Sequence, residues 1–198
     1  MRCIRMVVLL IVGMVVFGGV TSAAYVGNLN FFLGDKALNS DWKDDSFGLD
    51  VSSQAEFGAL ISFGQDKWPV HIAIDLLGST QDDTISGVKL TGSTNELDFG
   101  ARKQWEKGNA RPFLGGGLGW VKGELKASSG GVSISSDDSS VGGWVDAGAF
   151  WRLGQRFNLG LEGRYSKAKI KPEVSGVTAD VEAGGLHLGL LLGFGWGK

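Results

Sequence analysis

From Gly184 onward, side chains of two very different sizes alternate along the chain. One parity carries Leu186, Leu188, Leu190, Leu192, Phe194 and Trp196, and the other carries His187, Leu191 and the glycines at 185, 189, 193 and 195. Successive side chains of a β-strand point to opposite faces. A strand here therefore has one bulky apolar face and one slim face. A water-soluble barrel would turn its bulky residues inward and polar residues outward. In this segment the slim face carries the histidine, so the bulky face must meet something oily, and lipid is the simplest such partner.

The N-terminal residues suggest how such a chain would reach a membrane. Arg2 and Arg5 precede an apolar run from Met6 to Val20, and Thr21-Ser22-Ala23-Ala24 supplies the small residues that a signal peptidase reads. The run is about fifteen residues, short of the roughly twenty that a spanning helix needs. A cleaved signal peptide over 1–24 is expected, followed by a single domain over 25–198. Cys3 lies in the segment to be removed, so neither disulfides nor thiolate chemistry would remain. Losing Arg2 and Arg5 takes the basic count from 19 to 17, against 21 acidic residues, and this acidic balance gives no footing for nucleic acid.

Period-two segments bounded by turn residues give eight candidate strands. They run Tyr25 to Leu33, Ser53 to Phe63, Val70 to Leu77, Thr94 to Trp105, Pro112 to Lys122, Val141 to Arg152, Phe157 to Ser166 and Gly184 to Trp196. Their connections alternate in length. The second, fourth and sixth are tight, at Gly64–Trp68, Glu106–Arg111 and Leu153–Arg156. The others are long and rich in Ser, Asp, Lys and Gly. Short periplasmic turns and long extracellular loops are the pattern of a transmembrane barrel. Three long connections also resemble strand extensions closing at Ser86-Gly87, Ser129-Gly130-Gly131 and Ser175-Gly176, which can adopt the positive φ of hairpin turns. The fold class expected is all-β: an eight-stranded antiparallel transmembrane barrel.

Aromatic rings gather at the headgroup level of a bilayer. Tyr25, Trp68, Trp105, Phe113, Trp151, Phe157, Phe194 and Trp196 all fall near the short-turn end and are expected to form a girdle there.

Three stretches carry a family resemblance: Arg111-Pro112-Phe113-Leu114-Gly115-Gly116-Gly117-Leu118-Gly119-Trp120, Leu159-Gly160-Leu161-Glu162-Gly163-Arg164-Tyr165-Ser166, and the alternating C-terminus. With these the chain resembles the small eight-stranded outer-membrane barrels of the OmpA and OmpX type, over everything after the signal peptide. The family usually ends on an aromatic residue, whereas Gly197 and Lys198 follow Trp196 here. The resemblance implies a Gram-negative outer-membrane location and outer-membrane lipids, lipopolysaccharide and the barrel assembly machinery as partners. It also implies a monomer, with the extracellular ligand left open. The peptidoglycan-binding domain of longer relatives is not expected.

An eight-stranded barrel is just wide enough for its own side chains to fill it. The parity places Glu56, Asp75, Glu96, Asp98, Asp146 and Glu162 inside, against Arg102, Arg152 and Arg164, with His71 and His187. Charges removed from water must be paired, so a filled, ion-paired lumen is expected. A narrow cation-preferring passage is the alternative. Lipid-modifying enzymes and proteases also occur on this fold, but they need a base beside a nucleophile or water. Gly189, not a serine, follows His187 on its own face, and His71 and Asp75 stand about 13 Å apart along a strand. No catalytic residue, cofactor site or metal site is therefore assigned. The acidic stretch Asp41-Trp42-Lys43-Asp44-Asp45 reads as a solvated face more than a calcium loop, and Lys167, Lys169 and Lys171 as a loop stem able to meet lipopolysaccharide phosphates. The function expected is a structural or surface-interaction role.

Overall fold

The computed structural model describes residues 25–44, 49–171, 173–174, 177–178 and 180–197. The expected signal peptide over 1–24, Asp45 and the turn at Ser175-Gly176 lie outside the described residues. Eight long strands form one closed barrel: β1 (Tyr25–Ala37), β2 (Ser53–Gln65), β3 (His71–Ile85), β4 (Val88–Gln104), β5 (Ala110–Ser129), β6 (Val132–Leu153), β7 (Phe157–Lys167) and β8 (Leu186–Trp196). Every neighbour is antiparallel. β1 closes the ring between β2 and β8, with Phe32 opposite both Gly58 and Leu191.

The parity read from the sequence holds around the wall. On β8, Leu186, Leu188, Leu190 and Phe194 are exposed, while His187 and Leu191 are buried. On β5, Leu114, Leu118 and Trp120 face outward, past the run of three glycines. Phe31, Leu33, Phe57, Phe99, Val145 and Leu161 continue the outward apolar surface. A patch of this extent is far beyond what a monomer shows to water, and hydrocarbon is the solvent that fits it.

Glycines on the slim face of β8 make room for the inner residues. An added Cβ on Gly189 would lie 2.6 Å from the Phe32 ring, which fills that space instead. Phe32 packs with Leu60, Leu77, Phe113, Phe150 and Leu191 in an apolar cluster inside the barrel.

Two strand expectations need correction. The third and fifth connections are the strand extensions that the sequence suggested, so the strands run past their expected ends at Leu77, Thr94, Lys122 and Val141: β3 and β4 extend to a two-residue turn at Ser86-Gly87 (φ 51° and 79°), and β5 and β6 to one at Gly130-Gly131 (φ 57° and 85°). The sequence signalled the turns. Polar outward residues then concealed the extra strand length. β1 also runs on to Ala37, which brings Lys36 into the lumen.

Of the expected girdle residues, Tyr25, Trp68, Trp105, Trp151, Phe157 and Phe194 are exposed, and Phe157 and Phe194 meet edge to face with centroids 6.1 Å apart. Phe113 is the exception. It shares the inward parity opposite to Leu114, is 4% exposed, and packs against Phe150 at 6.2 Å. Trp196 is half-buried at the short-turn mouth.

At the other end, the connections β1–β2 and β7–β8 fold inward. Leu38, Trp42, Val51, Val121, Ala168, Ile170, Val181 and Ala183 form an apolar cluster across that mouth. Trp42 anchors it by donating its indole N–H to the Glu182 carbonyl at 2.7 Å. Asp41 accepts from Asn39 Nδ2 at 2.8 Å and from the Glu182 amide at 3.0 Å, so its carboxylate ties these loops together.

Leu190→Arg would place a charge on the lipid face near mid-strand and should cost about 2–4 kcal/mol of folding free energy in bilayers. Ser135→Arg, on the projecting part of β6, should be close to neutral. Urea titrations in lipid vesicles that gave equal costs would refute the lipid-facing assignment.

Candidate functional site

Among the described residues, the lumen is where the fold concentrates ionisable groups out of water. Of the residues expected there, Glu56, Asp75, Glu96, Asp98, Arg102, Asp146, Glu162, Arg164 and His187 are all buried and face one another. Arg164 is the hub. Its guanidinium donates to Asp75, Asp98 and, at 3.1 Å, Glu162 Oε1, with Asp146 at 3.4 Å. Arg102 donates to Asp75 at 2.8 Å, to Asp146, and to Ser62 Oγ at 2.8 Å. Trp144 lies under both cations, with its ring centroid 4.7 Å from Arg164 Cζ and 5.8 Å from Arg102 Cζ. Phe113 covers Arg102 from another side at 5.4 Å. The ring faces give the guanidiniums a favourable surface where water is absent.

A second group lies nearer the long-loop end. Lys36, which the first strand's expected end at Leu33 had left out, donates to Glu96, to Thr94 Oγ1 at 2.8 Å and to the Ala183 carbonyl at 2.9 Å. His187 Nδ1 meets Glu56 at 2.8 Å, and its Nε2 meets Ser166 Oγ at 2.9 Å. The sequence reading covered the histidine's own strand, where Gly189 follows it. Ser166 stands on β7 and not on the histidine's own strand. Arg164 pairs with His187 in register, which makes Ser166 a diagonal neighbour on the same face.

Serine, histidine and carboxylate thus have the connectivity of a nucleophile relay. Ser166 Oγ also lies 3.1 Å from Glu96 and accepts the Gly185 amide at 3.3 Å. Ser166, His187 and Glu56 are 2%, 0% and 4% exposed, beneath the apolar cluster that closes the mouth. The three behave as nodes of a hydrogen-bonded network with no open face.

Two expected members stand apart. Arg152 is only half-buried and contacts amides: its Nη2 donates to Asn28 Oδ1 at 2.7 Å and its Nε lies 3.4 Å from Asn158 Oδ1. His71 is half-buried at the short-turn end of β3, opposite Arg102 in register, and its Nδ1 has no partner among the described residues. The amides Asn28, Asn30, Asn158 and Gln104, which carry no charge to attract notice in the sequence, form the layer between Arg152 and the ion pairs.

Six carboxylates therefore face three fully buried cations and one imidazole. Glu96 Oε2, Asp98 Oδ1, Asp146 Oδ1 and Glu162 Oε2 have no partner among the described residues. The network is rich in acceptors and short of donors, which makes its cations harder to lose than its acids.

Arg164→Met should accordingly lower stability in lipid by about 3–5 kcal/mol, since several carboxylates lose their donor at once. Glu162→Gln removes surplus charge while keeping an oxygen for Arg164 Nε, and should change stability by less than about 1 kcal/mol. Equal losses for the two variants in urea titrations would contradict the hub assignment.

No family model and no curated protein matches the chain. Among solved structures, it is similar to Ail, the attachment invasion locus protein of Yersinia pestis, solved with the heparin analogue sucrose octasulfate. The identity is 16%, with 87% of this chain and 99% of that one covered and a TM-score of 0.57. A major outer membrane protein of Thermus thermophilus gives 9% identity, 87% and 98% coverage and a TM-score of 0.55. The chain therefore has the fold of the small eight-stranded outer-membrane β-barrels.

Proposed function

We propose that this chain is an integral outer-membrane protein that acts through its long-loop end as a surface-interaction barrel, without catalysis and without a conducting lumen. The observation that carries the reading is a sheet that outgrows the barrel. On β6, Val132 and Ile134 share the inward parity of Trp144 and Asp146, yet they are 67% and 65% exposed. They have risen past the mouth, and no wall faces them among the described residues.

Leu90, Ala127 and Ile134 lie in one cross-strand row of β4, β5 and β6, which gives the inner face of the projection an apolar strip bounded by Asp83 on β3. Val132 to Ser135 pair with β5 alone among the described residues, because the β7 ladder begins only at Gly143. An edge of this kind accepts an added strand, and alternate pockets on the apolar face would select its side chains.

The projection is stitched by polar contacts. Asp82 accepts from Lys89 at 2.7 Å and Thr91 at 2.6 Å, and these bonds hold its carboxyl below the usual carboxylate range. Lys122 pairs with Asp137 at 2.6 Å. Asp138 accepts the Lys171 amide at 2.6 Å, which likewise depresses its titration. The exposed Lys167, Lys169 and Lys171 beneath suit the phosphates of the outer leaflet's lipopolysaccharide.

The alternative of a small cation-preferring pore is disfavoured by the ion pairs, which fill the lumen, and by the apolar cluster across its mouth. Among the described residues, the serine that the enzyme alternative can offer beside a histidine is the enclosed Ser166.

Four measurements separate these readings. In planar bilayers the protein should show little or no steady conductance; a persistent cation-selective current would make it a pore. Ser129→Cys should react with an impermeant maleimide on intact cells and Asn109→Cys should not, whereas the reverse pattern would invert the orientation. A fluorophosphonate probe should leave Ser166 unlabelled, and labelling there would restore the enzyme. Cells expressing the protein should adhere or aggregate more than cells lacking it, and Val132→Lys with Ile134→Lys should abolish that gain while the barrel stays folded.

A further inference from the structure

The short-turn mouth, which plays no part in the surface reading above, contains a cavity of about 560 Å³. Arg111, Arg152 and Arg156 line it, supplied by the start of β5, the end of β6 and the turn after β6, together with Asn109, Gly195 and Trp196. No acidic side chain lines it. Glu106 stands 3.6 Å from Arg111, but it is 69% exposed and such a surface pair is weak.

Arg152 sets this place apart from the rest of the lumen. The fully buried cations Lys36, Arg102 and Arg164 each reach a carboxylate. Arg152, half-buried, has only the neutral acceptors Asn28 and Asn158, and no carboxylate within ion-pair distance among the described residues. Its position is nevertheless built. A Cβ on Gly195 would lie 2.0 Å from Arg152 Nη2, so the wall omits a side chain where the guanidinium sits. The Arg152 amide donates to the Asn109 carbonyl at 2.8 Å, and the Gly195 amide donates to the Arg156 carbonyl at 2.7 Å. These bonds join two turns and the end of β8 into one rim.

We infer that this mouth binds a phosphate group, held by the Arg152 and Arg156 guanidiniums with Arg111 beside them. Three arginines around one cavity suit a tetrahedral oxyanion with several acceptors better than a single carboxylate, and Arg111, whose Nη1 also donates to the Gly108 carbonyl, is the outermost contributor in this assignment. Trp196 in the lining and Trp151 on the adjacent outer wall put the mouth at the interfacial depth where lipid phosphates lie. The phosphate could thus come from a phospholipid headgroup of the short-turn leaflet or from a free phosphate compound on that side.

The full barrel in maltoside micelles, titrated calorimetrically with inorganic pyrophosphate at constant ionic strength, should bind it saturably at one site. Arg152→Gln and Arg156→Gln should each weaken binding about tenfold, the scale of a lost charge-assisted bond. Lys126→Gln, at the opposite end, should leave it unchanged. Arg156 is on the exposed turn, so its variant tests the site even if Arg152→Gln disturbs the lumen, and heat-modifiable gel mobility reports folding for both.

Repeating the titration in nanodiscs distinguishes the sources. Binding kept in phosphatidylcholine discs but lost in phosphatidylglycerol discs identifies a lipid occupant, and equal binding in both identifies a free phosphate compound. The inference is overturned if pyrophosphate does not bind saturably, or if binding survives unchanged in both arginine variants.

Discussion

Hydrocarbon supplies no hydrogen bonds, and this governs the whole molecule. Every backbone N–H and C=O that crosses the lipid must find its partner within the protein, which for strands means a ring with no free edge. β1 completes that ring by pairing with both β2 and β8. Closure then dictates the interior. Eight strands enclose a space of roughly side-chain width, and whatever the inward parity carries must pack, pair or be hydrated there. The glycines of β8 are a consequence: the slim face of that strand is where Phe32 and Arg152 reach across.

The electrostatics follow from the same enclosure. Six carboxylates in one lumen would repel one another strongly, so the barrel depends on a few cations that each serve several acids. Arg164 meets four of them and Arg102 two, while Trp144 presents a ring face to both guanidiniums. A planar fork with five donors can do this where an ammonium could not. Lys36 is used where a point charge suffices, against Glu96, a hydroxyl and a carbonyl. The acceptor surplus also bears on Ser166 and His187. In a network crowded with carboxylates, a serine–histidine–glutamate chain is one more way to distribute scarce protons, and its burial suits that purpose better than attack on a substrate.

Much of this was legible in the sequence because the lipid-facing wall tolerates so few departures from strict alternation. The parity identified Leu190 as outward and His187 and Asp75 as inward. Ser86-Gly87 and Gly130-Gly131 marked hairpin turns. The strand ends were hidden for a physical reason: once a strand leaves the bilayer, its outward residues face water and become Ser, Lys and Asp, so alternation fades while the ladder continues. Lys36 was missed in this way. Phe113 was misplaced because its nearness to the short-turn end was given more weight than its parity. The Ser166–His187 contact could not be read at all, since it depends on the register between two strands joined by a long connection. Arg152 shared the parity of the other lumen cations, and only its position at the mouth separated it from the acids.

The two ends of the lumen solve opposite problems. At the long-loop end, Trp42, Ile170 and Val181 close an apolar layer over Lys36 and His187, so the polar network is screened from solvent on the side where the projecting sheet stands. At the short-turn end there is no such layer: the amides of Asn28, Asn30, Asn158 and Gln104 lead out to three arginines around an open cavity. Amides can both donate and accept, so this layer gives Arg152 neutral acceptors while it stays away from the surplus carboxylates deeper in the barrel. Had Arg152 reached an acid, it would have completed one more internal ion pair and the mouth would carry less charge. Held apart, it leaves positive charge facing the side where phosphate groups can approach. Insulation by the neutral amides, together with the apolar cluster that sets Phe150 between Arg152 and Asp146 on β6, is what turns the end of a filled barrel into a recognition site.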